Sequence, residues 1–166
     1  MNTHPITSDL LPALHRLNQD HALELSSLTL AEFAHVVDRT TYARAVGSEG
    51  MLLAFDQSAD YDSVNFLWFR ERYDTFAYVD RIVISPARRG AGLARQFYEE
   101  LFDWARDAGL KRVVAEYNSE PLNTESEAFH AKMGFEPLGD MVMEGRGKTV
   151  RYVVRELTAE TVRSNP

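Results

Sequence analysis

The chain of 166 residues is long enough for one domain with a substantial core, and its 18 Lys and Arg against 25 Asp and Glu give a formal net charge of −7. This acidic balance argues against nucleic acid or an anionic membrane surface as a partner, and the absence of cysteine excludes disulfides and a cysteine nucleophile. Residues 1–10 lack the basic region and apolar run of a signal peptide, and no apolar stretch is long enough to span a membrane, so we expect a cytoplasmic protein.

The N-terminal part of the chain predicts two helices. Ser8 is expected to cap a helix that runs to about His21 and presents leucines on one face. Thr29 and Glu32 have the spacing of a capping box, which predicts the start of a second helix. No linker or repeat divides the sequence, so residues 1–166 are predicted to form a single domain. Its last residues, 162–166, are predicted to be a frayed tail.

A hairpin and an aromatic stretch follow the helices. Glycines bound a turn at 47–50, between strands predicted at 41–46 and 51–55. Residues 61–78 are rich in aromatic side chains, which belong to a core more often than to a pocket. We therefore favour a core here. A role in walling an acceptor pocket stays open for Asn65, Trp68, Arg70, Arg72 and Tyr73.

The second half of the chain predicts strands and helices that alternate before a final hairpin. Gly92 and Gly109 bound a strongly amphipathic helix, and Thr124 with Glu127 suggests a capping box for a shorter one. The strands are expected at 77–85, 112–117, 135–143 and 149–157. A strand, helix and strand in succession imply a parallel pair with a right-handed crossover, whereas the hairpins imply antiparallel neighbours. The fold class is therefore α/β, with a mixed α+β sheet and about four helices.

Residues 82–94 have the pattern of an anion-binding loop. A buried strand runs into a loop of small residues, and the loop runs directly into a helix whose first N–H groups have no partner within it. Glycines allow close backbone approach to a phosphate, and Arg88 and Arg89 add positive charge. A plain strand-to-helix turn with exposed arginines is the alternative. The loop does not fit a P-loop because no Gly-Lys-Ser/Thr follows its glycines, and Arg95 stands where a dinucleotide loop needs a third small residue.

Two motifs resemble those of the GCN5-related N-acetyltransferase (GNAT) superfamily. The sequence Arg89-Gly90-Ala91-Gly92-Leu93-Ala94 matches its acetyl-CoA loop, Arg/Gln-x-x-Gly-x-Gly/Ala. Downstream, the segment 123–135 matches the pattern Asn-x-x-Ala/Ser-x-x-aromatic-Tyr-x-Lys-x-Gly-Phe, with His130 in place of the tyrosine. The combination of Glu116-x-Asn118, Pro121-x-Asn123 and Phe129-His130 is also similar to a poorly characterised subgroup of predicted acetyltransferases. The resemblance implies a mostly antiparallel sheet with a central, splayed parallel strand pair.

The resemblance implies acetyl-CoA as cosubstrate. We expect no metal, because His4, His15, His21 and His35 show no ligand spacing with carboxylates. The cofactor would lie between strands 77–85 and 112–117, hydrogen-bonded by the backbone as an added strand would be. Asn123 corresponds to a residue that meets the pantetheine amides, although an asparagine near a helix start can instead be a cap. Either Arg88 or Lys132 would reach the ribose phosphate. The expected cofactor-binding residues are Ile82, Val83, Ile84, Arg88, Arg89, Gly90, Ala91, Gly92, Leu93, Ala94, Asn123, Ser126, Phe129 and Lys132.

The chemistry that the resemblance implies is direct attack of a primary amine on the thioester. An alkylammonium ion keeps its proton at neutral pH, so a base is needed, and Asp80 is our first choice and Glu116 the second. Either carboxylate could instead serve an ion pair. A backbone N–H between Arg81 and Val83 would polarise the carbonyl. His130 is the candidate general acid for the leaving thiolate, with a structural histidine as the alternative.

The partners that follow are acetyl-CoA and an amine acceptor, with no nucleic acid and no membrane. A small amine is the favoured acceptor. Protein or peptide N-termini form a second class, and a CoA-binding regulatory module without turnover is a third possibility because of His130. The resemblance also leaves a homodimer open.

Overall fold

The computed structural model describes residues 2–22 and 25–157. These residues form one six-stranded mixed sheet in the order β1-β2-β3-β4-β6-β5, with five α-helices around it. The strands are β1 Tyr42–Val46, β2 Gly50–Asp56, β3 Ala77–Ile84, β4 Arg112–Glu120, β5 Glu136–Met143 and β6 Lys148–Glu156. The helices are α1 Leu11–Asp20, α2 Leu30–Arg39, α3 Val64–Arg72, α4 Leu93–Asp107 and α5 Thr124–Lys132.

The central strands β3 and β4 are parallel and separate after a short contact. In the described residues, their pairing covers only Ala77 with Val113 and Tyr78 with Val114. Every other neighbouring pair in the sheet is antiparallel. The remainder of β3, up to Ile84, therefore has an edge towards β4 that the sheet does not fill. This confirms the predicted fold, with a splayed parallel pair in a mostly antiparallel sheet.

Helices cover both faces of the sheet. On one face, α4 buries Leu93, Phe97 and Leu101 against small and β-branched residues of the central strands. On the other face, α1 and α2 pack near β2 through Leu14 and Phe33, and α3 packs further along the sheet. Within the described chain, no helix has the length and apolar character needed to cross a bilayer.

Three local predictions fail, for identifiable reasons. Ser8 does not cap α1, because residues 8–10 form a 3-10 turn and α1 begins at Leu11. The cap of α5 is Asn123, whose side chain accepts from the N–H of Ser126, so Thr124 is already inside the helix. The aromatic stretch contains α3, which was not predicted, because aromatics at several helical positions hide the 3.6-residue period. The capping box of Thr29 and Glu32 is confirmed.

The core prediction for the aromatic stretch is correct. Phe66 and Phe69 of α3 are fully buried, together with Phe76 and Tyr78. Their rings pack edge to face or tilted at centroid distances of about 6 Å. The predicted tail, 162–166, lies outside the described residues.

Candidate active site

A cavity of about 1060 Å³ lies where β3 and β4 separate. Its walls include residues 78–82 of β3 and 115–118 of β4, and α5 and the β5–β6 hairpin contribute further side chains. The volume is at the upper end of the range for small-molecule sites, which suits a long ligand together with a second reactant.

A β-bulge sets the position of Asp80. Leu53 of β2 pairs with Arg81 and Ala54 pairs with Val79, so Asp80 is an extra residue in β3. Bulges of this kind re-aim a side chain and are common beside active sites. Asp80 lines the cavity, next to Val79, which belongs to the core cluster under α4.

The Asp80 carboxylate is largely buried, and each of its oxygens accepts a hydrogen bond. It accepts a hydrogen bond from the Tyr61 hydroxyl at 2.8 Å and another from Arg81 Nε at 3.0 Å. Arg81 is itself held by Asn18 and Ser26, which ties β3 to the segment between α1 and α2. Burial raises the pKa of Asp80, against the opposing effects of the Arg81 charge and of both hydrogen bonds.

Glu116 occupies the matching position on β4, two residues beyond the last pair with β3. Its Oε1 accepts a hydrogen bond from the Tyr78 hydroxyl at 2.8 Å. Burial raises the pKa of Glu116 to about 8, opposed by this hydrogen bond and reinforced by the charge of Asp80. A carboxyl with such a pKa can both accept and release a proton near neutrality.

His130 is buried beside the same cavity. Its Nε2 lies 2.9 Å from the Tyr98 hydroxyl, and its Nδ1 lies 2.7 Å from the Ser126 carbonyl oxygen. The ring stacks on Tyr117 at a centroid distance of 5.4 Å. Burial lowers the pKa of His130, and the hydrogen bond to Ser126 opposes this effect. The lowered pKa favours the neutral ring near pH 7.

The glycine loop is exposed and adopts the conformation that glycine permits. Gly90 and Gly92 have φ angles of +81° and +80°, and α4 begins immediately after Gly92. No side chain caps this helix. Among the described residues, no backbone carbonyl accepts from the N–H groups of Gly90, Ala91 and Gly92. The loop therefore offers free N–H donors at a helix N-terminus, which suits a phosphate.

The loop arginines have partners of their own. Arg88 forms an ion pair with Glu49 at 2.9 Å, and Arg95 pairs with Glu99 on α4 at 3.3 Å. Arg89 instead donates to His21 Nε2 at 2.9 Å. The positive charge of the loop is thus partly neutralised, and much of its attraction for an anion comes from the backbone.

The structure brings some of the candidate residues together and places others elsewhere. The cavity walls include Asp80, Glu116, His130, Ile82, Asn123 and Ser126. Residues 88–94 lie outside those walls, at the start of α4, and the side chain of Val83 is buried against α1 and α2. Phe129 packs on Tyr98, and Lys132 is exposed at the end of α5. Of the aromatic-stretch candidates, only Asn65 lines the cavity.

Sequence reasoning missed the tyrosines around the carboxyls. Tyr61 and Tyr78 donate to Asp80 and Glu116, and the Tyr98 hydroxyl lies within hydrogen-bond distance of His130. Lys148 also lines the cavity, and burial lowers its pKa, reinforced by the charge of Arg146 and opposed by that of Glu116. An alternating position beside Asp80 marks Tyr78 as inward-facing, but Tyr61 and Tyr98 come from other elements and have no such signal.

Asn123 combines a structural contact with a free donor, and two variants separate them. Its Oδ1 caps α5, which leaves the Nδ2 amide for a ligand. We expect Asn123→Asp to keep the cap yet bind CoA about tenfold more weakly, because it lacks the amide donor. Asn123→Ala loses the cap as well, so unfolding should require about 1 kcal/mol less. Calorimetric titration and chemical denaturation measure the two effects, and equal CoA affinity in all three proteins contradicts the assignment.

The fold is that of solved N-acetyltransferases. Arabidopsis thaliana NAA60, solved with a bisubstrate analogue, is similar with a TM-score of 0.73 and 16% identity over 93% of this chain and 97% of that one. A ribosomal-protein-alanine N-acetyltransferase from Brucella melitensis has a TM-score of 0.68 and 18% identity over 95% of this chain and 100% of that one. The Salmonella typhimurium yncA, a putative acetyltransferase with acetyl-CoA bound, has a TM-score of 0.66 and 19% identity over 95% of this chain and 94% of that one.

The sequence itself identifies the family. Residues 23–135 match the family described as Acetyltransferase (GNAT) family. This segment contains both motifs, the splayed strands and most of the cavity wall. No curated protein gives a significant sequence match. The chain belongs to the GNAT acetyltransferase family, and its homologues bind acetyl-CoA or CoA.

Proposed function

We propose that the protein transfers an acetyl group from acetyl-CoA to a small primary amine that attacks the thioester directly. The observation that carries this is the pair of carboxyls, Asp80 and Glu116, which line the cavity at the gap between β3 and β4 and have raised pKa values. Family membership supports the acetyl transfer, and the carboxyls support an acceptor that must lose a proton.

Three groups of described residues suit different parts of acetyl-CoA. The edge of β3 that faces β4 is unfilled beyond Tyr78 and suits the amide groups of the pantetheine arm. The free N–H groups of the glycine loop suit the pyrophosphate. Asn123 and Ser126 line the cavity and suit the polar groups of the pantetheine arm. Arg88 or Lys132 would reach the ribose phosphate.

The groups in the cavity can accept the proton that the amine loses in the proposed step. The amine nitrogen bonds to the acetyl carbon and gives its proton to Glu116 or Asp80, while the carbon–sulfur bond breaks and its electron pair stays on sulfur. Since the base must be ionised, a Glu116 pKa of about 8 predicts a rate that increases as the pH rises towards that value.

A peptide N-terminus is the second candidate acceptor, and the mouth of the cavity favours it. Val64 and Val142 lie on the rim with exposed fractions of 68% and 63%. Apolar side chains at that place suit the residues that follow a terminal amine. Similar solved structures include a ribosomal-protein-alanine N-acetyltransferase and NAA60 in complex with a bisubstrate analogue.

Thiol release from acetyl-CoA with a panel of amines tests the proposal. The panel contains small alkylamines, polyamines, amino acids and short peptides, and reactions without amine give the background. We expect release above background with small amines. Preference for the peptides favours the second candidate, and CoA binding without release by any amine contradicts catalysis in favour of a binding module.

A further inference from the structure

Tyr98 of α4 meets His130 of α5 at the inner wall of the cavity. Both side chains line it, and both are buried, with exposed fractions of 0% and 5%. The Tyr98 hydroxyl and His130 Nε2 are 2.9 Å apart. Phe129 and Phe135 pack around this pair with their aromatic rings. The pair is thus a polar contact at the cavity wall in otherwise aromatic surroundings.

The contacts of His130 determine where that proton lies. The Ser126 carbonyl oxygen can only accept, so the Nδ1 that faces it at 2.7 Å carries the ring proton. In the neutral ring, Nε2 then has a lone pair and no proton. It must therefore accept from the Tyr98 hydroxyl. A neutral His130 has no proton to give to the cavity, whereas Tyr98 has one.

Resting on the proposed acetyl transfer, we propose that the Tyr98 hydroxyl donates a hydrogen bond to the departing CoA thiolate, with His130 as the positioning residue that holds it ready. Before reaction the hydroxyl proton points at His130 Nε2. When the carbon–sulfur bond breaks, the electron pair on sulfur makes a charged acceptor, and hydrogen bonds to charged groups are roughly twice as strong as those to neutral ones. The hydroxyl then turns to the sulfur.

Tyr98 keeps its proton throughout this exchange. Burial raises the pKa of Tyr98 above its ordinary range, and the charge of Glu116 acts in the same direction, so the phenol remains protonated. The thiolate later takes its proton from water. Because the contact strengthens only as negative charge develops, it accelerates the chemical step without tightening binding of the cosubstrate.

Tyr98→Phe measures this contribution directly. We expect kcat to fall by about 10- to 100-fold, with KM for acetyl-CoA changed less than twofold. The thiol of bound CoA, followed by thiolate ultraviolet absorbance, should titrate about one pH unit higher in the variant than in the wild type. Tyr42→Phe is the matched control, because Tyr42 packs on Trp104 of the same helix and does not line the cavity. It should leave both quantities unchanged.

A measurement on the wild type covers the case in which Tyr98→Phe folds poorly. With CoA bound at a pH that ionises its thiol, the ¹⁵N resonance of His130 Nε2 should move towards that of an imidazole nitrogen without a donor. The same resonance stays in place when CoA lacking the sulfur is bound. An unmoved resonance overturns the inference, and so does Tyr98→Phe with unchanged kcat and bound-thiol pKa. If the pKa of the bound thiol depends on Tyr98 but no amine is acetylated, the proposed function is contradicted, whereas the contact between Tyr98 and the thiolate is supported.

Discussion

Gly92→Val is expected to weaken CoA binding by about 100-fold or more while the protein remains folded. Gly92 has a φ of +80° at the residue that precedes α4, and a β-branched side chain is strongly disfavoured there. A Cβ at this position meets no atom within 4 Å, so the penalty is one of backbone conformation and not of collision. That penalty is of order 1–3 kcal/mol, and the loop relieves it by turning its N–H groups away from the pyrophosphate. Calorimetric titration with CoA measures the loss.

Gly109→Val is a closely matched control at the other end of the same helix. Gly109 has a φ of +78°, and a Cβ there also meets nothing within 4 Å. The two variants should therefore lose similar stability in thermal denaturation, and only Gly92→Val should lose CoA affinity. Equal affinities in the two variants would show that the glycine loop does not bind the pyrophosphate.

The shape of the glycine loop could be predicted because its signals are local. A loop that needs positive φ requires glycine, and the residues that follow it begin a helix, so Gly90, Gly92 and Leu93 show their role in adjacent positions. The parallel pairing of β3 and β4 is also local in origin, since a strand, helix and strand in succession imply a parallel pair, whereas their splay was expected from the family resemblance. Asn123 was assigned to a ligand and is also a cap, because one amide has both an acceptor and a donor.

The amine half depends on contacts between distant segments. The bulge at Asp80 is visible only in the register of β2 against β3, and nothing in the order Val79-Asp80-Arg81 indicates it. Tyr61 reaches Asp80 from a loop nineteen positions earlier, whereas Tyr98 reaches His130 from a neighbouring helix. The carboxyls themselves could be proposed as bases from their strands. Their burial, which decides their proton affinity, is a property of the packed fold.

Glu116→Gln is expected to have opposite effects on activity and on stability at high pH. The amide keeps an oxygen that accepts from the Tyr78 hydroxyl, yet it cannot take a proton from the amine. We expect kcat to fall by about 100-fold, the usual contribution of a general base, and the rise of the rate towards pH 8 to disappear. Glu136→Gln, which removes an exposed carboxylate on β5, should leave the pH profile unchanged. If Glu116→Gln keeps the wild-type profile, Asp80 is the base that remains to be tested.

The stability effect follows from where the proton sits in each state. Folded Glu116 has a pKa of about 8 and the unfolded residue one near 4.5, so between these values the folded state holds a proton that the unfolded state has released. The free energy of unfolding of the wild type must therefore decrease as pH rises through that window. Glutamine does not ionise, so Glu116→Gln should gain a few kcal/mol relative to the wild type between pH 5 and pH 9. Urea denaturation at the two pH values measures this gain, and an equal difference at both would mean that Glu116 ionises in the folded protein as easily as in water.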